Sequence, residues 1–302
     1  MSTARQDFLD AQRRMLSENG VDAESRYVNV PSIGGRAHVL EVGEGPEVVM
    51  LNGIGTPGAM WAPLMAELPG LRLLAVDLPG YGLTDTTDGF SEDLRGNAVR
   101  FLGEVLDGLG LSRPPILANS LGSLWSSWLA LDRPERVAAL AHVGCPGVAL
   151  DSSAPLQMRL LSVRPLGRIL TRLQPPSPKQ VEELAKMVNE HPLDPELVEL
   201  LVATERMPGF RPTFLSMLNV LLRLRGSRPE HRLTAEQIGR IEHPAVLVWG
   251  RDDPFGSPEV GERFAAAMPD AGLHVVEGGH APWLDEAPRI GDILTGFLRE
   301  HS

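Results

Sequence analysis

Ala118-Asn119-Ser120-Leu121-Gly122 follows the apolar run Pro115-Ile116-Leu117 and opens a stretch, 121–131, with a helical pattern. A strand that turns at once into a helix around a serine needs a very tight turn, which leaves the hydroxyl projecting from it. Such a turn has little room for side chains two residues before and two residues after the serine. Ala118 and Gly122 occupy those positions. The commoner pattern has glycine at both, so at 118 a methyl group has to fit.

Outward from this turn, strand-length apolar runs at 48–51, 73–77, 115–118, 137–143, 245–249 and 273–277 alternate with helix-length segments such as 93–109, 121–131 and 258–268. Before them, 26–30 and 37–42 read as an antiparallel pair around Gly34-Gly35. The pattern predicts an α/β fold: a mostly parallel, eight-stranded sheet flanked by helices. An amphipathic helix over 7–18 precedes the sheet and one over 289–300 closes the chain. One block breaks the alternation. Residues 147–241 show helical patterns at 156–173, 179–190, 195–206 and 212–224, and no strand. Pro175-Pro176-Ser177-Pro178 and Pro208-Gly209-Phe210-Arg211-Pro212 punctuate them. The expected organisation is therefore a core of 1–146 and 242–302 with an all-helical insertion, 147–241.

A serine hydroxyl is a poor nucleophile until a base takes its proton, and the base needs a third group to orient it. Trp249-Gly250-Arg251-Asp252-Asp253-Pro254 directly follows one predicted strand, and Glu277-Gly278-Gly279-His280-Ala281-Pro282 follows another. Open parallel sheets bind ligands at the C-terminal edge of their strands. Ser120, His280 and either Asp252 or Asp253 can therefore converge there. His38, His142 and His274 lie within strand-like stretches and are expected to be packed or surface imidazoles.

The order Ser, Asp, His resembles that of the α/β-hydrolases, in the branch with a serine nucleophile and a helical cap. Asn52-Gly53-Ile54-Gly55 stands where many members carry His-Gly-x-Gly. Asp77-Leu78-Pro79-Gly80-Tyr81-Gly82 matches the D-x-x-G-x-G turn, and 279–288 is similar to G-H-x-P-x-x-E-x-P. The resemblance covers nearly the whole chain outside the insertion. It implies Ser120 as nucleophile, His280 as general base and Asp253 as orienting acid, three residues after Gly250. It also implies an oxyanion hole from the backbone N–H groups of Ile54 and Leu121, supported by Asn52, Gly53, Asn119 and Gly122. Asn52 replaces a histidine that braces the oxyanion loop. Asp77 is expected to brace its own turn.

The remaining composition narrows the class. A formal charge of −11 opposes non-specific attraction to nucleic acid. No apolar run approaches bilayer length, and the first residues lack a signal-peptide core. A cytoplasmic protein without membrane or nucleic-acid partners is expected. The single cysteine, Cys145, excludes an internal disulfide and reads as a packed side chain. No metal-ligand spacing or phosphate-binding glycine loop is present, so the expectation is cofactor-free chemistry on a small-molecule substrate. The sequence leaves the oligomeric state open.

Within the insertion, Arg164, Arg168 and Arg172 would share one helix face: solvated, or with one arginine reaching down to a substrate carboxylate. Met158, Met187, Met207 and Met217 would supply an apolar lining or core. The first expectation is hydrolysis of an apolar ester, lactone or thioester through an acyl-enzyme. The alternative is carbon–carbon bond hydrolysis of a diketone acid, as in meta-cleavage product hydrolases, which requires an inward basic residue. Lyase, cyclase or cofactor-free peroxidase chemistry, and a ligand receptor with residual hydrolysis, are further alternatives.

Overall fold

The computed structural model describes residues 3–186 and 191–302. Strands β1 (Ala23–Val30), β2 (Gly35–Val42), β3 (Glu47–Leu51), β4 (Arg72–Val76), β5 (Ile116–Ala118) and β6 (Leu140–Val143) come first. β7 (Leu222–Arg223) and β8 (Gly226–Ser227) form a separate antiparallel hairpin, and β9 (Ala245–Gly250) and β10 (Ala271–Val276) complete the main sheet. Its order is β1-β2-β4-β3-β5-β6-β9-β10. β2 pairs antiparallel with both β1 and β4, and every later pairing is parallel. This is the eight-stranded α/β architecture that the alternating pattern predicts.

Helices α1 (Thr3–Glu18), α2 (Ala62–Ala66), α3 (Leu94–Leu109) and α4 (Leu121–Asp132) belong to the first part of the chain. α5 (Leu156–Leu161), α6 (Arg164–Leu173), α7 (Pro178–Ala185), α8 (Pro195–Glu205), α9 (Phe210–Leu221) and α10 (Ala235–Ile238) lie between β6 and β9. α11 (Pro258–Ala267) and α12 (Ala287–Glu300) follow. Side chains alternate along each strand, so both sheet faces are buried. On β3, Val49 and Leu51 join a cluster holding Trp125 and Trp249, while Val48 and Met50 join the opposite cluster with Trp61 and Trp283. Phe8 and Met15 anchor α1 in the second cluster.

The insertion departs from its expected outline in three places. The 156–173 helix is two, because Pro165 has no N–H to continue the ladder from α5 and sits instead in the first turn of α6. Pro212 does not break α9, since it also occupies a first turn, where a missing N–H is harmless. Residues 222–224, expected to be helical, leave α9 for the β7–β8 hairpin, a strand pair that the sequence pattern does not disclose. The expected end of the 179–190 helix, and Met187 with it, lies outside the described residues. No helix among the described residues is long and apolar enough to cross a membrane.

Candidate active site

β5 is only three residues long, and just two residues, Asn119 and Ser120, separate it from α4. Ser120 occupies the joint with φ 51° and ψ −110°, a left-handed conformation that a side-chain-bearing residue adopts at a cost of about 1–3 kcal/mol. Gly122 makes the turn possible: a Cβ there would lie 2.4 Å from the Leu51 carbonyl oxygen. Its N–H donates to the Asn52 and Asn119 carbonyls at 3.0 and 2.8 Å. The Ala118 methyl fits, fully buried at the end of β5.

His280 and Asp253 come from the loops after β10 and β9. His280 Nδ1 lies 2.9 Å from Asp253 Oδ2. The same Asp253 oxygen accepts the Cys145 N–H at 2.8 Å, and Oδ1 accepts the Phe255 N–H at 2.9 Å. The Phe255 ring stacks on the imidazole at 4.0 Å. Asp252, the other acid the residues alone leave open, is exposed. His280 Nε2 is buried and has no hydrogen-bond partner among the described residues. Ser120, Asp253 and His280 are 5 %, 5 % and 7 % exposed, and Ser120 and His280 line one cavity.

The remaining predicted residues surround that cavity. Gly53 and Ile54 line it, and Leu121 is the first residue of α4, where N–H groups lack intrahelical acceptors. At Gly53 a Cβ would fall 2.9 Å from Asn119 Oδ1 and 3.2 Å from Ser120 Cβ, so the loop can approach the serine only without a side chain. Asn52 Nδ2 donates to the Pro57 carbonyl at 2.8 Å, closing the same loop. Asn119 Nδ2 donates to the Val143 and His280 carbonyls, at 2.7 and 3.0 Å, and so ties the turn to the histidine loop. Asp77 accepts the N–H of Leu83 in its own turn and the N–H of Gly58 at the far end of the Asn52 loop. Cys145 is fully buried, and burial pushes its thiol well above the usual range.

The wall opposite the sheet edge comes from the helices between β6 and β9. Leu161, Leu170, Leu184, Phe210 and Phe214 make most of it apolar, and Met158 contributes to it. Met217 is core instead, and Met207 packs against the core. Of the two arginine readings, the solvated face holds and the inward one does not. Arg164 donates to Asn219 Oδ1 at 3.0 Å, Arg168 and Arg172 are exposed, and none of the three lines the cavity. The basic lining residue is Arg211, near the start of α9, which makes no ion pair within 4.0 Å among the described residues. Glu205, at the end of α8, also lines the cavity; burial raises its pKa, and Arg211 partly offsets this. Sequence reading missed Phe255, Glu205 and Arg211. Helical periodicity gives each helix a face, but the packing partners decide which face meets the cavity.

The sequence pattern of the Alpha/beta hydrolase family matches residues 48–290. A 2-hydroxy-6-oxononadienedioate/2-hydroxy-6-oxononatrienedioate hydrolase from Burkholderia vietnamiensis is 31% identical over 291 residues, covering 92% of this chain and 96% of that protein. Among solved structures, carboxylesterase CesB from Bacillus subtilis superposes with a TM-score of 0.79 at 21% identity, over 98% of this chain and 99% of that one. The 2-hydroxy-6-oxo-6-phenylhexa-2,4-dienoate hydrolase from a Rhodococcus strain does so with a TM-score of 0.75 at 21% identity, over 92% and 99%. By its sheet order, its strand-to-helix serine turn and this family match, the chain belongs to the α/β-hydrolase family.

Proposed function

We propose that this hydrolase uses Ser120 as nucleophile, His280 as general base and Asp253 as the group that orients the imidazole. The observation that carries the reading is the state of His280. Asp253 fixes Nδ1, while buried, unpartnered Nε2 belongs to a residue that lines the same cavity as Ser120. A base held in this way can take the hydroxyl proton as Ser120 attacks a carbonyl. The developing oxyanion would meet the N–H groups of Ile54 and Leu121, the latter at the positive end of α4. The helices of 147–241 act as a cap that excludes water from the acyl-enzyme.

For the bond cleaved, the 2-hydroxy-6-oxo-dienoate relatives favour carbon–carbon hydrolysis of a diketone or enol acid over the ester chemistry placed first from sequence. Such a substrate carries a carboxylate, and Arg211 offers a cation on the cavity wall. In the 2,6-diketo tautomer, formed when the 2-hydroxyl proton moves to C5, Ser120 attacks the C6 ketone, and collapse of the tetrahedral adduct breaks C5–C6 and leaves the acyl-enzyme. The departing electron pair delocalises through the C3–C4 double bond onto the 2-keto oxygen as a dienolate, which takes the proton back from the imidazolium. Water activated by His280 then releases the acid. Ester hydrolysis is the second reading, favoured by the largely apolar helical wall.

Turnover of a 2-hydroxy-6-oxo-hexadienoate and of p-nitrophenyl butyrate by wild type, Ser120→Ala and Arg211→Gln tests both readings. Ser120→Ala is expected to lose about 10⁴-fold or more in kcat/KM on either substrate. Arg211→Gln should raise KM about tenfold for the dienoate alone. Full activity in Ser120→Ala would sink the nucleophile. Efficient butyrate cleavage with no dienoate turnover would leave the ester reading.

A further inference from the structure

The outer side of the helical insertion differs in charge and apolarity from the rest of the surface. Residues 154–178 and 206–228 contain no Asp or Glu, although the chain as a whole has a net charge of −11. They supply α5, α6, α9 and the β7–β8 hairpin. Arg168 and Arg172 on α6, and Arg223 and Arg225 at the hairpin tip, are exposed and make no hydrogen bond or ion pair among the described residues. Elsewhere on the surface arginines find carboxylates: Arg95 meets Asp132, Arg251 meets Glu277 and Arg263 meets Asp151.

The same elements hold the exposed large hydrophobic side chains of the described residues. Ile169 and Leu173 on α6 are 55 % and 73 % exposed, Leu156 at the start of α5 is 53 %, and Leu224, between the two hairpin arginines, is 50 %. Ile169 and Leu173 are four residues apart and so share a side of α6, with Arg168 and Arg172 beside them. α5 packs against α6 and against β7, and Arg159 on α5 donates to the Leu224 carbonyl at 3.4 Å, so the three elements adjoin. Single exposed leucines are ordinary, whereas a set gathered on one face marks an interaction surface. Cations interleaved with projecting apolar side chains fit an anionic lipid surface: arginines meet headgroup phosphates, and Leu and Ile enter the acyl boundary. A second copy of the chain fits poorly, because a two-fold contact would set these arginines against themselves. The acidic remainder does not cancel the attraction, since at 0.1 M salt exposed charges more than about 10 Å away are largely screened.

We propose that α5, α6 and the tip of the β7–β8 hairpin form a docking face for an anionic phospholipid bilayer, with α6 lying in the plane of the surface. No helix among the described residues is long and apolar enough to cross a bilayer. The expectation of no membrane partner rests on spanning and signal segments, which adsorption from one side does not use. Docking also brings the cavity to the lipid. Leu170 and Thr171, on the inner side of α6, line the cavity that holds Ser120, and Gln174, directly after α6, lines it while standing exposed. The cavity mouth therefore borders the docking face, and an apolar molecule dissolved in the bilayer reaches it with little exposure to water.

The test is co-sedimentation with vesicles of phosphatidylcholine, alone or mixed equally with phosphatidylglycerol, and it needs no turnover. Wild type is expected to partition onto the mixed vesicles about tenfold or more above phosphatidylcholine alone, and to leave them in about 1 M salt. Arg168→Gln with Arg172→Gln should weaken that partitioning about thirtyfold, at about fivefold per arginine. Ile169→Ser with Leu173→Ser should weaken it about tenfold. Both pairs are exposed and outside the cavity, so each variant's thermal midpoint should match wild type, which separates lost docking from lost fold. Wild type that stays in the supernatant with mixed vesicles overturns the proposal, as does undiminished binding in both double variants. Weakening in only one of the two pairs reduces the face to charge adsorption or to unspecific apolar contact, and overturns the combined docking. Binding to polyglutamate as tight as to the mixed vesicles assigns the face to an acidic protein instead. These outcomes are independent of the catalytic reading, which Ser120→Ala tests.

Discussion

Among the described residues two buried His–Asp pairs can be compared, one closed by Ser25 and the other facing the cavity that Ser120 lines. At the cavity, His280 Nδ1 meets Asp253 at 2.9 Å; in the sheet, His38 Nδ1 meets Asp77 at 2.8 Å. Both carboxylates also accept two backbone N–H groups. The outer nitrogens differ. His38 Nε2 is closed by Ser25 Oγ at 3.0 Å, and Ser25 sits on edge strand β1. His280 Nε2 is open, and Ser120 sits in a left-handed turn at a helix start. The same three residue types thus make a brace in one place and, on the reading proposed above, a poised base in the other. What separates them is an unsatisfied nitrogen beside a cavity, with helix N-terminal donors nearby to receive negative charge.

The comparison can be broken by variants of each pair. Asp253→Asn should lower kcat about 10³–10⁴-fold in steady-state assays, because the imidazole loses its orienting acceptor. His38→Ala should instead cost about 3–5 kcal/mol in a denaturant titration, by stranding buried Asp77, while kcat falls less than about tenfold. If His38→Ala proved as damaging to turnover as Asp253→Asn, the distinction between brace and base would collapse. A third buried histidine sharpens it. His142 has neither ring nitrogen partnered among the described residues, and burial lowers its pKa from 6.5 to about 4. The unfolded chain takes up this proton first, so the neutral ring's contribution is complete above pH 6.5. It declines as pH falls toward 4, by about 3 kcal/mol at ~1.4 kcal/mol per pH unit. His142→Leu should flatten that part of the stability–pH curve. Smallest of all, Ser25→Ala should leave kcat/KM within about twofold, since an exposed hydroxyl is replaced by water.

The sheet was legible because strand runs of period two and short apolar blocks alternate with longer helical segments. The residues proposed for the site come together for a related reason. Ser120, Asp253 and His280 each follow a strand directly, and parallel strands bring their ends to one edge. Asp253 rather than Asp252 needed the family pattern; in the structure it is the carboxylate on the imidazole. The helical wall was much less readable. Arg164, Arg168 and Arg172 do share a face, but α6 turns Leu170 and Thr171 to the cavity. Arg211 sits in Pro208-Gly209-Phe210-Arg211-Pro212, whose pattern predicts a break and so assigns it no helix face. The β7–β8 hairpin is two residues a side, too short for any periodicity to register.

The Phe255 ring against His280 has a mechanistic consequence. An imidazole held at one edge by a carboxylate and covered on one face by an aromatic ring is restrained from turning. If His280 is the base we propose, its proton has a fixed address, and the departing atom must be delivered to it. The choice of bond would then fall to how the helical wall seats the rest of the molecule, so reshaping that seat, with the loops of Ser120, Asp253 and His280 untouched, is the route to retargeting the chemistry.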